Sequence, residues 1–313
     1  MALKQALEIF ELLSGARVSG AQVVALLGSR GVTELKLERV QGAKGTTEFV
    51  SGAISGALGG PVLGIIGRLG GIGARPVAIG LVSDADGAIV TLAAALKLAD
   101  MARAGDVLPG SVRFATHICP DAPTMPHEPV PFMNSPVDMD TMNRMEIHPD
   151  MSAILSVDTT RGNRLVNKRG MAITPTVKQG YVLRVAEPLL DLLSWVTGEL
   201  PSVLPITTQD ITPYGNGLHH VNSILQPCTA TAAPVVGVAL TAQSTVPGPA
   251  TGVSNIFDIE QATRFCIEVA KLYGAGRCPF YAPDEWATLQ ARYGSLEHLQ
   301  TMGRETTAPP GSA

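Results

Sequence analysis

The chain has 313 residues, 45% of them hydrophobic and 16% charged, with a formal net charge of −4. That length allows one large domain or two small ones. An acidic balance without a basic stripe argues against a nucleic-acid partner, and no apolar run reaches the ~20 residues of a membrane span. So few charges leave much of the surface uncharged, which fits apolar area hidden in a homo-oligomer. Glu8 and Glu11 interrupt the apolar pattern of the amino terminus, which reads as an amphipathic helix and not a secretory signal. Cys119, Cys228, Cys266 and Cys278 show no CxxC spacing, as expected of reduced thiols in a cytoplasmic protein.

Leu3, Ala6, Leu7, Phe10 and Leu13 predict a helix over 2–13, and Ser19 opens a second with Val23, Val24 and Leu27 on its face. Leu35, Leu37 and Phe49 belong to alternating segments that predict a hairpin across Gly42–Gly45. These elements form an amino-terminal part over residues 1–50. The glycine-rich stretch from Ser51 to Pro76 contains a short strand, Val62–Ile66, and the loop Gly67-Arg68-Leu69-Gly70-Gly71-Ile72-Gly73-Ala74-Arg75. A dinucleotide fingerprint needs a helix after its glycines; here Pro76 leads into another apolar run, Val77–Val82, which predicts a buried strand. The loop is either a backbone nest with Arg68 and Arg75 facing an anion, or a tight inter-strand connection.

Gly87 opens a helix with Ile89, Leu92, Ala93, Leu96 and Ala99 on one side, Leu108–Gly110 turn the chain, and Val112–Thr116 form the next strand. Strand, helix and strand of this length imply a parallel pair with a right-handed crossover. Residues 119–150 hold seven prolines and predict a functional loop or lid. A strand at Ser152–Val157, a polar turn at Thr159–Asn163, a helix at Arg184–Leu200, strands at Val203–Thr207 and Val235–Leu240, and a last strong helix at Asp258–Tyr273 follow. Residues 1–302 therefore read as one α/β domain and 303–313 as a disordered tail.

Ionisable residues collect where strands end. Asp84 and Asp86 precede the helix at Gly87; helix capping accounts for one carboxylate, and an Asp-x-Asp also suits a divalent metal. His117, Asp121 and His127 follow the next strand, and imidazole with carboxylate suits zinc, nickel, manganese or iron. Asp158 ends a third strand, either as an Asx cap or within reach of the same crevice. His219-His220 sits on a loop flanked by glycine, as substrate contact, proton shuttle or plain surface. Cys119 with His117 is a weaker nucleophile–base pair, because a small buried cysteine is the commoner case.

The order of these elements resembles the co-catalytic zinc aminopeptidase superfamily, especially its glutamyl-aminopeptidase and deblocking branch. Asp84 in SDADGAIVTLAAALKLA is similar to the aspartate that bridges two metals there, and Asp158 in AILSVDTT to a later ligand aspartate. Gln209–Thr212, Val235–Leu240 and Phe257–Glu260 resemble the closing segments, so the likeness spans about residues 60–273. Gly67–Gly70 stands where that family has a ligand histidine, His117–Asp121 where it has a glutamate pair, and Gln243–Pro247 where it has its closing histidine. The resemblance implies a three-layer αβα sandwich around a mixed, largely parallel sheet, with a site rebuilt around one metal or emptied of metal.

The expected function is a metal-dependent hydrolase acting on a small amide or peptide-like substrate that bears a carboxylate. Asp84, His117, His127 and Asp158 would hold the metal, zinc first with nickel or manganese as alternatives. Asp121 and Asp86 would be catalytic, and Arg68, Arg75, His219 and His220 would contact substrate. The alternative is a non-catalytic protein that keeps the fold and binds an anionic metabolite.

Overall fold

The computed structural model describes residues 1–68, 71–74, 80–126, 131–160, 167–207, 222–243 and 254–301. Two helices open the chain, α1 (Leu3–Leu13) and α2 (Gly20–Ser29), followed by a long hairpin, β1 (Thr33–Gly42) and β2 (Gly45–Ile54). Gly42 pairs with Gly45 at the expected turn. The α1 face is rotated from the expected one: Ala6, Ile9 and Leu13 are buried while Leu7 is exposed.

Strand β3 (Leu63–Gly67) leads by a 3-10 turn at Ser83–Ala85 into α3 (Asp86–Arg103), and then comes β4 (Val112–Ile118). A short hairpin, β5 (Thr124–Met125) with β6 (Phe132–Met133), and helix α4 (Met139–Glu146) follow. Next are β7 (Ala153–Thr160), β8 (Gly170–Ile173), β9 (Val177–Lys178), β10 (Tyr181–Val182) and α5 (Glu187–Thr197). The one-turn α6 (Asn222–Leu225), β11 (Val235–Thr241), α7 (Ile256–Gly274) and α8 (Pro283–Tyr293) complete the order.

Nine strands form one mixed sheet in the order β1-β2-β4-β3-β7-β11-β9-β10, with β8 also on β11. Its centre, β4-β3-β7-β11, is parallel, and its flanks are antiparallel. Alternate residues of the central strands enter two separate cores. Leu63, Ile65, Leu155, Val157, Val236 and Val238 join α1, α3, α5 and α7 on one face, while Ile66, Ile154, Val235 and Ala239 join α6 on the other. A period of two on strands buried on both sides gives the α/β, three-layer arrangement that the sequence implied. The central helix α3 is buried all round from Asp86 to Leu96, because its many alanines let α1, α7 and the sheet approach closely.

Several expectations need correction. The strand that feeds α3 in the sheet is β3; of the expected strand at Val77–Val82, residues 77–79 lie outside the described ones, and Gly80–Val82 form no strand of the sheet. Gly80 has φ +84°, a left-handed conformation that no strand keeps. Val203–Thr207 supplies only a single bridge, Val203 to Ile173. Helix α5 is shorter than expected: Pro188 sits in its first turn and Gly198, at φ 74°, ends it. The expected lid contains a helix, α4, opened by Asp138, whose carboxylate accepts from the Thr141 N–H at 2.7 Å. Helix α8 lacks any buried residue, so no apolar stripe announced it. The tail 303–313 lies outside the described residues. Among the described residues no helix is long and apolar enough to cross a membrane.

Candidate active site

The chain steps from β3 sideways to β4, then returns across β3 to β7 and on to β11. Strand succession therefore reverses beside β3, and open α/β sheets hold ligands outside the carboxyl ends at such a reversal. Two glycines let the start of α3 sit directly on those ends. A Cβ on Gly87 would lie 2.5 Å from the Val157 carbonyl oxygen, and one on Gly67 would lie 2.5 Å from the Gly87 carbonyl oxygen. The Arg68 N–H donates to the Val157 carbonyl at 2.9 Å, closing the same junction.

This junction carries the carboxylates. Asp84 lies in the 3-10 turn, Asp86 begins α3 and Asp158 falls near the end of β7; they are 4%, 4% and 3% exposed. The Thr159 hydroxyl donates to the Ser83 carbonyl at 2.6 Å, which places the chain neighbours Asp158 and Asp84 on one lip. Asp158 accepts from the Thr159 N–H at 2.8 Å. Asp86 accepts from the Ser254 hydroxyl at 2.5 Å. Burial pushes the Asp86 carboxyl up to about 7; Asp258 and Asp158 push the same way, against the Ser254 and Thr159 hydroxyls. Burial also raises Asp258, in the first turn of α7, although Arg169 stands 3.6 Å away and favours its charged form.

A second group lies on the sheet face opposite α3. Ile66 pairs with Ala115 and Gly67 with Val157. Extending both registers aligns His117, Arg68 and Asp158 in one row across β4, β3 and β7, all on one face. Neighbouring strands lie ~4.8 Å apart, so His117 and Asp158 are about 10 Å apart at their Cα atoms, with Arg68 between them. The Arg68 side chain is wholly buried and pairs through Nη1 with Glu146, which closes α4. Its Nη2 reaches Met139 Sδ at 3.3 Å, so one guanidinium touches both the first and the last residue of α4. Glu146 Oε1 also meets His117 Nδ1 at 3.2 Å, and the Phe49 ring lies edge-on to the imidazole at 5.1 Å.

The structure thus brings Asp158 close enough to Asp86 to act on it electrostatically, with Asp84 two residues earlier in the chain, while Arg68 and His117 share the row of Asp158. Arg68 is not placed as a substrate clamp, because its charge is enclosed with Glu146. His117 is drawn toward Glu146, with the Arg68 cation on the side of Asp158. Asp121 is exposed, bridging Ala74 just past β4. Arg75, His127, His219 and His220 lie outside the described residues. Among the described residues no three His, Cys, Asp or Glu side chains converge to hold a metal ion. Cys119 is buried and its thiol is pushed up to about 11, chiefly by burial, which favours the small buried cysteine over the nucleophile.

Sequence reasoning missed Glu146, Ser254, Asp258 and Arg169 as members of this region. The one signal for Glu146 was its place at the end of a segment opened by a capping aspartate. Ser254 sits just before Asn255, the N-cap of α7.

Residues 38–303 match the family described as "Protein of unknown function (DUF1177)". The chain belongs to the DUF1177 family. Comparison with curated proteins finds no match. Among solved structures, "Bottromycin maturation enzyme BotP" is 16% identical with a TM-score of 0.49, over 87% of this chain and 70% of that one. A second structure of BotP, in complex with Mn, is 14% identical with a TM-score of 0.47, over 86% and 71%. At these identities and scores neither ligand nor activity carries across.

Proposed function

We propose that this chain is a metal-dependent hydrolase acting on a small amide or peptide-like substrate that bears a carboxylate. One observation supports the reading: three carboxylates, Asp84, Asp86 and Asp158, are buried at element boundaries by the carboxyl end of a parallel sheet where strand succession reverses.

The described residues fit part of a cation shell. Asp84 and Asp158 would hold the ion with His127, and His219 or His220 would contact substrate; carboxylate with imidazole suits zinc, nickel and manganese alike. When bound, such an ion polarises the scissile carbonyl. Asp121, exposed at the same edge, would take the proton of an attacking water, and Asp86 would hand a proton to the departing amine.

Metal content tests this directly. Untagged protein, reconstituted with zinc, manganese or nickel and dialysed, is expected to retain stoichiometric metal by mass spectrometry. Asp84→Ala and Asp158→Ala are expected to lose it while keeping the wild-type circular dichroism. Protein that takes up none of the three ions refutes the hydrolase and leaves the non-catalytic binding reading.

A further inference from the structure

We infer that Arg169 is the cation with which this site recognises a substrate carboxylate, beside Phe257 as an apolar wall. The word substrate rests on the hydrolase reading, which this assignment deepens. The site is strongly acidic: Asp258 and Asp158 lie close enough to Asp86 to act on it electrostatically, with Asp84 two residues before it, and an anionic ligand meets repulsion there unless a cation offsets it. Arg68 cannot do so, because its guanidinium is fully enclosed with Glu146.

Arg169 is placed for the task. It immediately precedes β8, whose Gly170 pairs with Thr241 at the end of β11. That register sets Arg169 on the carboxyl edge of the parallel centre, the edge that carries Asp84 and Asp158. Its Nε faces Asp258 at 3.6 Å, and Ser254, four residues before Asp258, donates to Asp86 at 2.5 Å. Arg169 and the buried acids are therefore joined by a short run of named residues. The side chain remains 62% exposed, with a donor fork shaped for a carboxylate. Phe257, next to Asp258 in the first turn of α7, is 65% exposed. Cation and ring together select an anion next to an apolar group, such as the carboxyl end of an apolar amino-acid derivative.

The test compares N-acetyl-leucine with N-acetyl-leucinamide, titrated by NMR into the full chain. The wild type is expected to bind the acid about tenfold or more tighter than the amide, the scale of a charge-assisted hydrogen bond. Arg169→Gln should abolish that preference and leave the amide unchanged, Arg169→Lys should keep part of it, and Phe257→Ala should weaken both ligands. A wild type that does not distinguish acid from amide overturns the assignment, as does a preference that survives Arg169→Gln. Should Arg169→Gln fail to fold, Arg169→Lys carries the test, because loss of the fork must shrink the preference. Protein that binds no metal yet keeps the acid preference sinks the hydrolase alone; metal retained with no acid preference sinks Arg169 alone.

Discussion

Replacing Glu146 by Gln removes one negative charge from a pair whose side chains are both 0% exposed. The shape is kept, but the Arg68–Glu146 ion pair is lost from a fully buried site. Breaking a buried ion pair in this way costs about 3–5 kcal/mol. A chain of this length has an unfolding entropy of about 0.65 kcal/mol per kelvin, so the melting temperature should fall by about 5–8 °C. The double substitution Arg68→Met with Glu146→Leu removes both charges and should recover at least half of that loss, because apolar groups of similar volume replace a buried pair at little cost. Differential scanning calorimetry of the wild type, the single and the double variant is the assay. A single variant that melts with the wild type, or a double variant that melts no higher than the single, refutes the claim that charge balance holds α4 on the sheet.

Gly87→Ala should cost about 2–4 kcal/mol by core-overpacking standards, since its Cβ would meet the Val157 carbonyl at 2.5 Å; urea titration measures this, and an unchanged midpoint contradicts the seating of α3 on β7. Asp100 binds Gln5 and Arg30, and these bonds outweigh burial and hold its carboxyl below the ordinary range. Its folded pKa is depressed, so its contribution is present above the unfolded value near 3.9 and is lost as pH falls through the folded value. Asp100→Asn should therefore be less stable than wild type by about 1 kcal/mol at pH 7, with the gap closing as the pH falls below the unfolded value. Denaturation curves across pH check it, and a gap that widens on acidification contradicts the sign.

Most elements were legible because burial is periodic along the chain. The hairpin at Gly42–Gly45, the helix after Gly87, and the strands ending near Asp158 and Leu240 each carry a local pattern that burial on one or both faces imposes. Helix α8 carried no such pattern because it buries nothing, and the expected strand at Val77–Val82 ignored the freedom of Gly80. Asp84, Asp86, His117 and Asp158 could be named as candidates from their positions at element boundaries alone. Arg68 could not be placed: a glycine-rich flank reads equally as an exposed nest and as a buried connection.

The amino-acid sequence by itself determined the α/β layering and the junction where acids collect, since both follow from residue patterns within a few turns of chain. Only the tertiary structure decided which cation faces which acid. Arg68 and Glu146 are 78 residues apart, and it is strand register and the seating of α4 that bring them together and leave Arg169 at the rim. Charges couple through space over a few ångströms, and a linear pattern carries no record of which distant strand will supply the partner.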